Sequence, residues 1–182
     1  MAKAVAGYSV RYFIDNKKLI PHLSLFHLRT TESRFRKLEQ IVEKIASRFA
    51  GFPIESIKFE QYGDGTGVNY VLSKPRELQK LNKETVVRVK SLRTGVLYPW
   101  YRTRKYSRIQ QDYIKKYGTI WSVEKGFIPH FTMGRFISRG DAAKVVEKMK
   151  KINFEFMADT IAICEINNNG QVYKILKTLK LK

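Results

Sequence analysis

Apolar positions along this chain recur at two spacings, every second residue or every third to fourth, and each spacing predicts a different element. Tyr8-Ser9-Val10-Arg11-Tyr12-Phe13-Ile14 alternates and predicts a strand, closed by the turn-prone Asp15-Asn16. Residues 21–28 predict a second strand. Phe35, Leu38, Ile41, Val42, Ile45 and Phe49 fall at helical spacing and predict a helix over 32–50. Thr30 or Thr31 is its expected cap, and Gly51 and Pro53 are its expected stop. Two strands, 54–61 and 68–72, flank the glycine-rich turn 63–67. Pro75 opens a helix reaching to about Arg93, with Gly95 behind it. A short helix over 107–117 ends at Gly118. The strand 128–136 follows, and then Ser138 with Asp141 resembles a cap before helix 139–151. Strands 159–166 and 171–180, joined by Asn167-Asn168-Asn169-Gly170, close the pattern. Residues 95–126 are the least regular stretch.

The pattern repeats. At a constant offset of 108, Ile20, Pro21, His22, Ser24, Leu28 and Thr30 meet Ile128, Pro129, His130, Thr132, Phe136 and Ser138. Beyond them the helix positions Leu38 and Ile41 meet Val146 and Met149. The unit is a motif strand, a cap and an amphipathic helix, present twice. Strand alternation places His22 and Ser24 on one face and His130 and Thr132 on one face, with Leu23, Leu25, Phe131 and Met133 turned into a core. Two of the three histidines in the chain lie in these strands. Two such strands side by side would line a cleft with two imidazoles and two hydroxyls.

Charge sharpens that reading. The 182 residues carry 35 Lys and Arg against 16 Asp and Glu, a net charge of +19, which attracts polyanions such as nucleic acid. With 43% hydrophobic residues the chain can bury a core, so wholesale disorder is excluded. The single cysteine, Cys164, excludes a disulfide framework within the chain and reads as a small core residue in a buried strand. No signal peptide opens the chain and no run is long enough to cross a bilayer, so a cytoplasmic location is expected, with no membrane partner.

Cleaving a phosphodiester requires a proton taken from the attacking oxygen and a proton given to the leaving one. Imidazole, with an ordinary pKa near 6.5, does both near neutrality. One of His22 and His130 would be the base and the other the acid. The residues leave open which is which. Ser24 and Thr132 would donate hydrogen bonds to the phosphoryl oxygens as negative charge builds there.

The pair His22-Leu23-Ser24-Leu25 and His130-Phe131-Thr132-Met133, with Pro21, Pro129 and Gly134-Arg135, resembles the two-histidine phosphoesterase superfamily. That superfamily includes 2′-5′ RNA ligase-like proteins and 2′,3′-cyclic phosphodiesterases. The resemblance implies an α+β, bilobal, pseudo-symmetric fold, with antiparallel sheets lining a central groove and helices outside. It implies one domain over 1–182 made of two intertwined lobes, each contributing one motif strand. It also implies metal-independent chemistry without a cofactor, and the sequence has no His-x-x-x-His, cysteine pair or carboxylate cluster near either histidine. The expected function is a phosphodiesterase, working as a monomer on RNA or oligonucleotides with 2′,3′-cyclic phosphates or 2′-5′ linkages. The alternatives are a hydrolase of cyclic oligonucleotide or 2′-5′ oligoadenylate messengers, and an RNA-binding protein without catalysis. Serine in the first motif departs from the threonine usual in the family.

Other residues enter by the same logic. Arg135 suits phosphate contact, yet regular alternation puts it opposite His130, so a bulge or strand end is needed to turn it inward. His27 falls on the face opposite His22 if its strand runs straight. Tyr98, Trp100 and Arg102 belong to a stretch of interleaved aromatic and cationic side chains suited to base stacking and phosphate contact. The turn 63–67 lacks the Gly-Lys-Ser/Thr ending of a phosphate loop and reads as a hairpin. Lys174, Lys177, Lys180 and Lys182 read as a solvated strand edge.

Overall fold

Seven strands and four helices are formed by the residues that a computed structural model describes, 5–98, 101 and 105–182. The strands are β1 (Val10–Phe13), β2 (Phe52–Tyr62), β3 (Gly67–Leu72), β4 (His130–Phe136), β5 (Glu155–Ala158), β6 (Thr160–Ile166) and β7 (Val172–Lys180). The helices are α1 (Phe35–Ala46), α2 (Arg76–Val89), α3 (Arg108–Tyr117) and α4 (Arg139–Met149). Strands β1-β4-β3-β2-β5 form one antiparallel sheet in that order, and β6-β7 form a second, two-stranded one. This is the α+β arrangement expected from the sequence. Among the described residues no helix is long and apolar enough to cross a membrane.

The two repeat helices pack on different sheets. Helix α1 lies against α2, β6 and β7, whereas α4 lies against β2, β3 and β4. Leu38, Val42 and Ile45 carry the first contact, and Ala142, Val145 and Met149 the second; all are buried, as their helical spacing requires. Ser138 caps α4 by accepting from the Asp141 N–H at 3.0 Å. Ser107 caps α3 with a reciprocal Gln110 contact, and Gly118, at φ +74°, ends it.

Several expectations are corrected. Helix α1 ends at Ala46, and Pro53 sits inside β2 opposite Met157. As β2 neighbours β5 there, Pro53 is near the sheet edge, where the missing N–H is tolerated. Neither Thr30 nor Thr31 caps α1, because Thr30 Oγ1 donates to the Leu92 carbonyl and Thr31 Oγ1 pairs with Ser33 Oγ. Strand β5 had no sequence signal, being four residues paired with β2. The last-strand lysines stay solvated, as expected, and Lys174, Lys177 and Lys180 also form surface pairs with Glu165, Glu43 and Asp159.

The largest correction concerns residues 21–28, which belong to no strand. Two of their backbone carbonyls are met by side chains instead. Asn82 Nδ2 of α2 donates to the Leu25 carbonyl at 2.7 Å, and Ser122 Oγ donates to the Ser24 carbonyl at 3.1 Å. Ile20, just before the motif, still bonds to β7, through its N–H and the Val172 carbonyl. Pro21 has no N–H to offer a ladder, and a bend at Leu25 breaks the alternation.

Strand β4 carries an irregularity of its own. Val68 of β3 faces Gly134, but the next residue, Asn69, faces Thr132, so Met133 is an extra residue in a bulge. Cross-strand partners share a sheet face. Val71 faces His130, Asn69 faces Thr132, and Gly67 faces Arg135. The bulge therefore brings Arg135 onto the face of His130 and Thr132, which even-and-odd counting denies it. Tyr12 of β1 and Tyr62 of β2, paired with Arg135 and Gly67, complete that row.

Candidate active site

Both motif histidines are held in the same way. His22 Nδ1 lies 2.8 Å from the Ile20 carbonyl, and His130 Nδ1 lies 2.7 Å from the Ile128 carbonyl. A carbonyl only accepts, so Nδ1 carries hydrogen in each ring. Nε2 is thereby left with the lone pair in a neutral ring and with the second proton in a charged one. The isoleucine that leads each motif supplies the anchor, two residues upstream of its histidine.

The two rings also lie near enough for their charges to oppose one another. Burial holds His22 below the usual imidazole range; the Ile20 carbonyl works the other way, and the charge of His130 lowers it further. A second proton on this pair is disfavoured.

His27 belongs to this group, contrary to the expectation from a straight strand. The bend at Leu25 turns it so that its Nε2 lies 3.0 Å from Ser24 Oγ. Burial lowers its pKa to about 4, with His22 and His130 charges contributing in the same direction. It stays neutral near pH 7. The sequence did hold a signal for it: His27 and Arg135 are equivalent under the offset of 108.

Arg135 is held rather than free. Its guanidinium pairs with Asp64 at 2.9 Å, and its Nε donates to Thr66 Oγ1 at 3.0 Å. Asp64 and Thr66 come from the glycine-rich turn, which is the expected hairpin between β2 and β3 and has Gly63 and Gly65 at positive φ. The Thr66 hydroxyl and the Arg135 guanidinium hold the Asp64 carboxyl well below the usual carboxylate range.

A cavity of about 1130 Å³ opens between the first-motif segment and β6–β7. His22, Ser24 and His27 line it, together with Tyr98, Phe131 and Cys164. Tyr98 is 8% exposed, lies under the Arg29 guanidinium at 5.2 Å, and has its hydroxyl pushed up to about 12, chiefly by burial. Trp100 and Arg102, grouped with it by sequence, lie outside the described residues. Cys164 is half-buried and burial raises its thiol pKa, which keeps it a poor nucleophile. Among the described residues no three His, Cys, Asp or Glu side chains converge as a metal site would need.

Comparison with known proteins follows the same lines. The model of the 2′-5′ RNA ligase superfamily matches residues 6–170. No curated protein sequence matches the chain. Among solved structures, LigT of E. coli, complexed with 3′-AMP, superposes with a TM-score of 0.57 at 16% identity. That match covers 100% of this chain and 86% of LigT. TT0787 of Thermus thermophilus also gives 0.57, at 15% identity, over 90% of this chain and 81% of that protein. These likenesses establish the fold.

Proposed function

Because this chain belongs to the 2′-5′ RNA ligase superfamily, a phosphoesterase- and ligase-like family, we propose that it is a phosphodiesterase in which His22 and His130 act as paired general base and general acid. Its substrates are RNA or oligonucleotides with a 2′,3′-cyclic phosphate or a 2′-5′ linkage. The supporting observation is the matched anchoring of the two imidazoles, each committing Nδ1 to a carbonyl two residues upstream. That leaves two Nε2 atoms, one able to accept a proton and the other able to give one.

In hydrolysis, neutral His22 takes a proton from water as the water oxygen attacks phosphorus. Protonated His130 gives its proton to the departing ribose oxygen as the P–O bond breaks. Burial of His22 suits it to the first role. The reverse direction exchanges the roles and joins the ends. Thr132 and Ser24 donate to the non-bridging oxygens, where charge accumulates. His27 is a positioning residue: its Nε2 lies 3.0 Å from Ser24 Oγ, and in the tautomer with hydrogen on Nε2 it donates to that oxygen and leaves the serine proton free for phosphate. The reading takes the protein as one domain of two intertwined lobes, working as a monomer. A net charge of +19 favours an extended RNA over a small messenger. LigT, with 3′-AMP bound, offers a nucleoside phosphate of the proposed class.

The test is a panel of 2′,3′-cyclic nucleotides, RNA with cyclic-phosphate ends, 2′-5′ oligoadenylates and cyclic dinucleotides, assayed with a chelator present. His22→Ala and His130→Ala should each lose at least ~100-fold in rate, with folding judged intact by circular dichroism. Full activity in either variant, or activity abolished by the chelator, would overturn the reading. Salt-sensitive RNA binding without turnover would favour a binding protein instead.

A further inference from the structure

We propose that Asn82 and Ser122 are positioning residues that set the distance between the two histidine motifs, through one strained segment, 119–129, which grips the first motif and anchors the second. This rests on the phosphodiesterase reading above and adds what aligns its paired imidazoles.

The two motifs are held in unequal ways. The second lies in β4, whose backbone is fixed by β3 from Val71 opposite His130 to Gly67 opposite Arg135. The first belongs to no strand, so no ladder fixes how far His22 stands from His130. Its middle is tied instead at two neighbouring carbonyls. Asn82 Nδ2 donates to the Leu25 carbonyl at 2.7 Å, and Ser122 Oγ to the Ser24 carbonyl at 3.1 Å. The same Asn82 nitrogen donates its other hydrogen to the Ser122 carbonyl at 2.8 Å. Both side chains are buried, so water does not compete for these bonds.

The far end of the segment is the second motif. Ile128 supplies the carbonyl that holds His130 Nδ1. Before it, Lys74 Nζ donates to the Phe127 carbonyl at 2.7 Å, and after it the Pro129 carbonyl accepts from the Leu72 N–H at 2.9 Å. Leu72 belongs to β3, so this end is pinned to the sheet. A displacement of Ser122 therefore moves the first motif relative to the second.

Backbone strain supplies an independent observation. Ser122 and Glu124 adopt φ of +59° and +47°, in the left-handed region that residues other than glycine rarely occupy. Such a conformation persists only where its surroundings enforce it. Here Thr119 Oγ1 accepts from the Trp121 N–H at 3.0 Å, Tyr101 Oη accepts from the Ile120 N–H at 3.1 Å, and Val123 is wholly buried. Glycine is the residue that backbone at 122 would favour. Serine keeps a hydroxyl where the loop meets the first motif, and that hydroxyl is in use.

Two substitutions separate position from stability. Ser122→Ala and Ser122→Gly both remove the hydroxyl, but only glycine relieves the backbone, so Ser122→Ala should have the lower Tm. Both should lower kcat about tenfold on the best substrate of the panel above, with KM changed by less than about twofold. NMR titration of the imidazoles reads the same displacement without turnover. Burial and the opposing charge of His130 hold His22 low, so a slackened brace should raise its pKa toward the ordinary 6.5. Asn82→Leu, which frees both carbonyls, should show the same two changes more strongly; an unmoved kcat and His22 would remove Asn82 from the role. If kcat follows Tm, with Ser122→Gly equal to the intact protein, the serine is structural and the proposal is overturned. An unmoved His22 titration in both serine variants overturns it as well. With turnover present in the intact protein, either result spares the phosphodiesterase reading. A raised His22 pKa in variants of a protein without turnover does the reverse.

Discussion

His27 and Arg135 occupy equivalent places in the two halves of the chain, and each is turned toward the site by a break in strand alternation. For His27 the break is the bend at Leu25, and for Arg135 it is the bulge at Met133. Each then meets a hydroxyl, Ser24 at 3.0 Å and Thr66 at 3.0 Å. Sequence symmetry is kept while the chemistry diverges: a neutral imidazole supports one motif and a paired guanidinium the other.

The His27–Ser24 contact carries a kinetic consequence. His27→Phe should lower kcat on a cyclic phosphate about tenfold, the worth of one oriented hydrogen bond, with a smaller change in KM. His27→Gln restores an N–H donor and should recover part of the loss. Equal damage from both variants would point to packing instead.

Burial of neutral His27 also makes stability depend on pH. Its folded pKa, about 4, lies below the ordinary value of 6.5, so the unfolded chain binds the extra proton across that window. Stability should be fully present above about pH 6.5 and fall as the pH drops toward 4, by on the order of 3 kcal/mol. His22, lowered in the same direction, adds to the loss. Urea unfolding from pH 7 to 4 measures it, and His27→Phe should flatten the slope.

The rate should show its own acid limb. If His22 is the base, activity falls as the pH drops through its folded pKa, and burial places that pKa below the ordinary 6.5. A profile of kcat/KM whose acid limb is centred above pH 7 would contradict the assignment of His22 as base.

Gly67 offers a test of the sheet face without touching a titrating group. Gly67→Ala puts a methyl within 2.3 Å of Tyr62 Cε1, and the ring must swing away. The expected loss is about 1–3 kcal/mol in denaturant unfolding, an overpacking cost. No loss would mean that the ring moves freely.

Much of this was legible before any coordinates. Helix α1 follows from apolar spacing, and Pro75, Ser138 and Gly118 mark ends of the others through local chemistry that short stretches contain in full. The glycine turn 63–67 announced its hairpin for the same reason. The paired histidines were visible because duplication survives in the linear order. Residues 21–28 misled, because their alternation fits a strand while the partners of their backbone, Asn82 and Ser122, lie far along the chain. Strand β5 was too short to show a period. Arg135 needed the bulge, which is a property of two strands rather than one.

Taken alone, the order of residues determined which residues the repeated motif contains, how often it occurs, and which stretches are helical. Those are matters of spacing within a few residues, where backbone geometry leaves little choice. Tertiary structure decided which way the side chains face. A single bend or extra residue reverses every later position on a strand. Whether either occurs depends on hydrogen bonds to distant parts of the chain, so the places of His27 and Arg135 became known only once Ser24, Thr66 and their neighbours were in position.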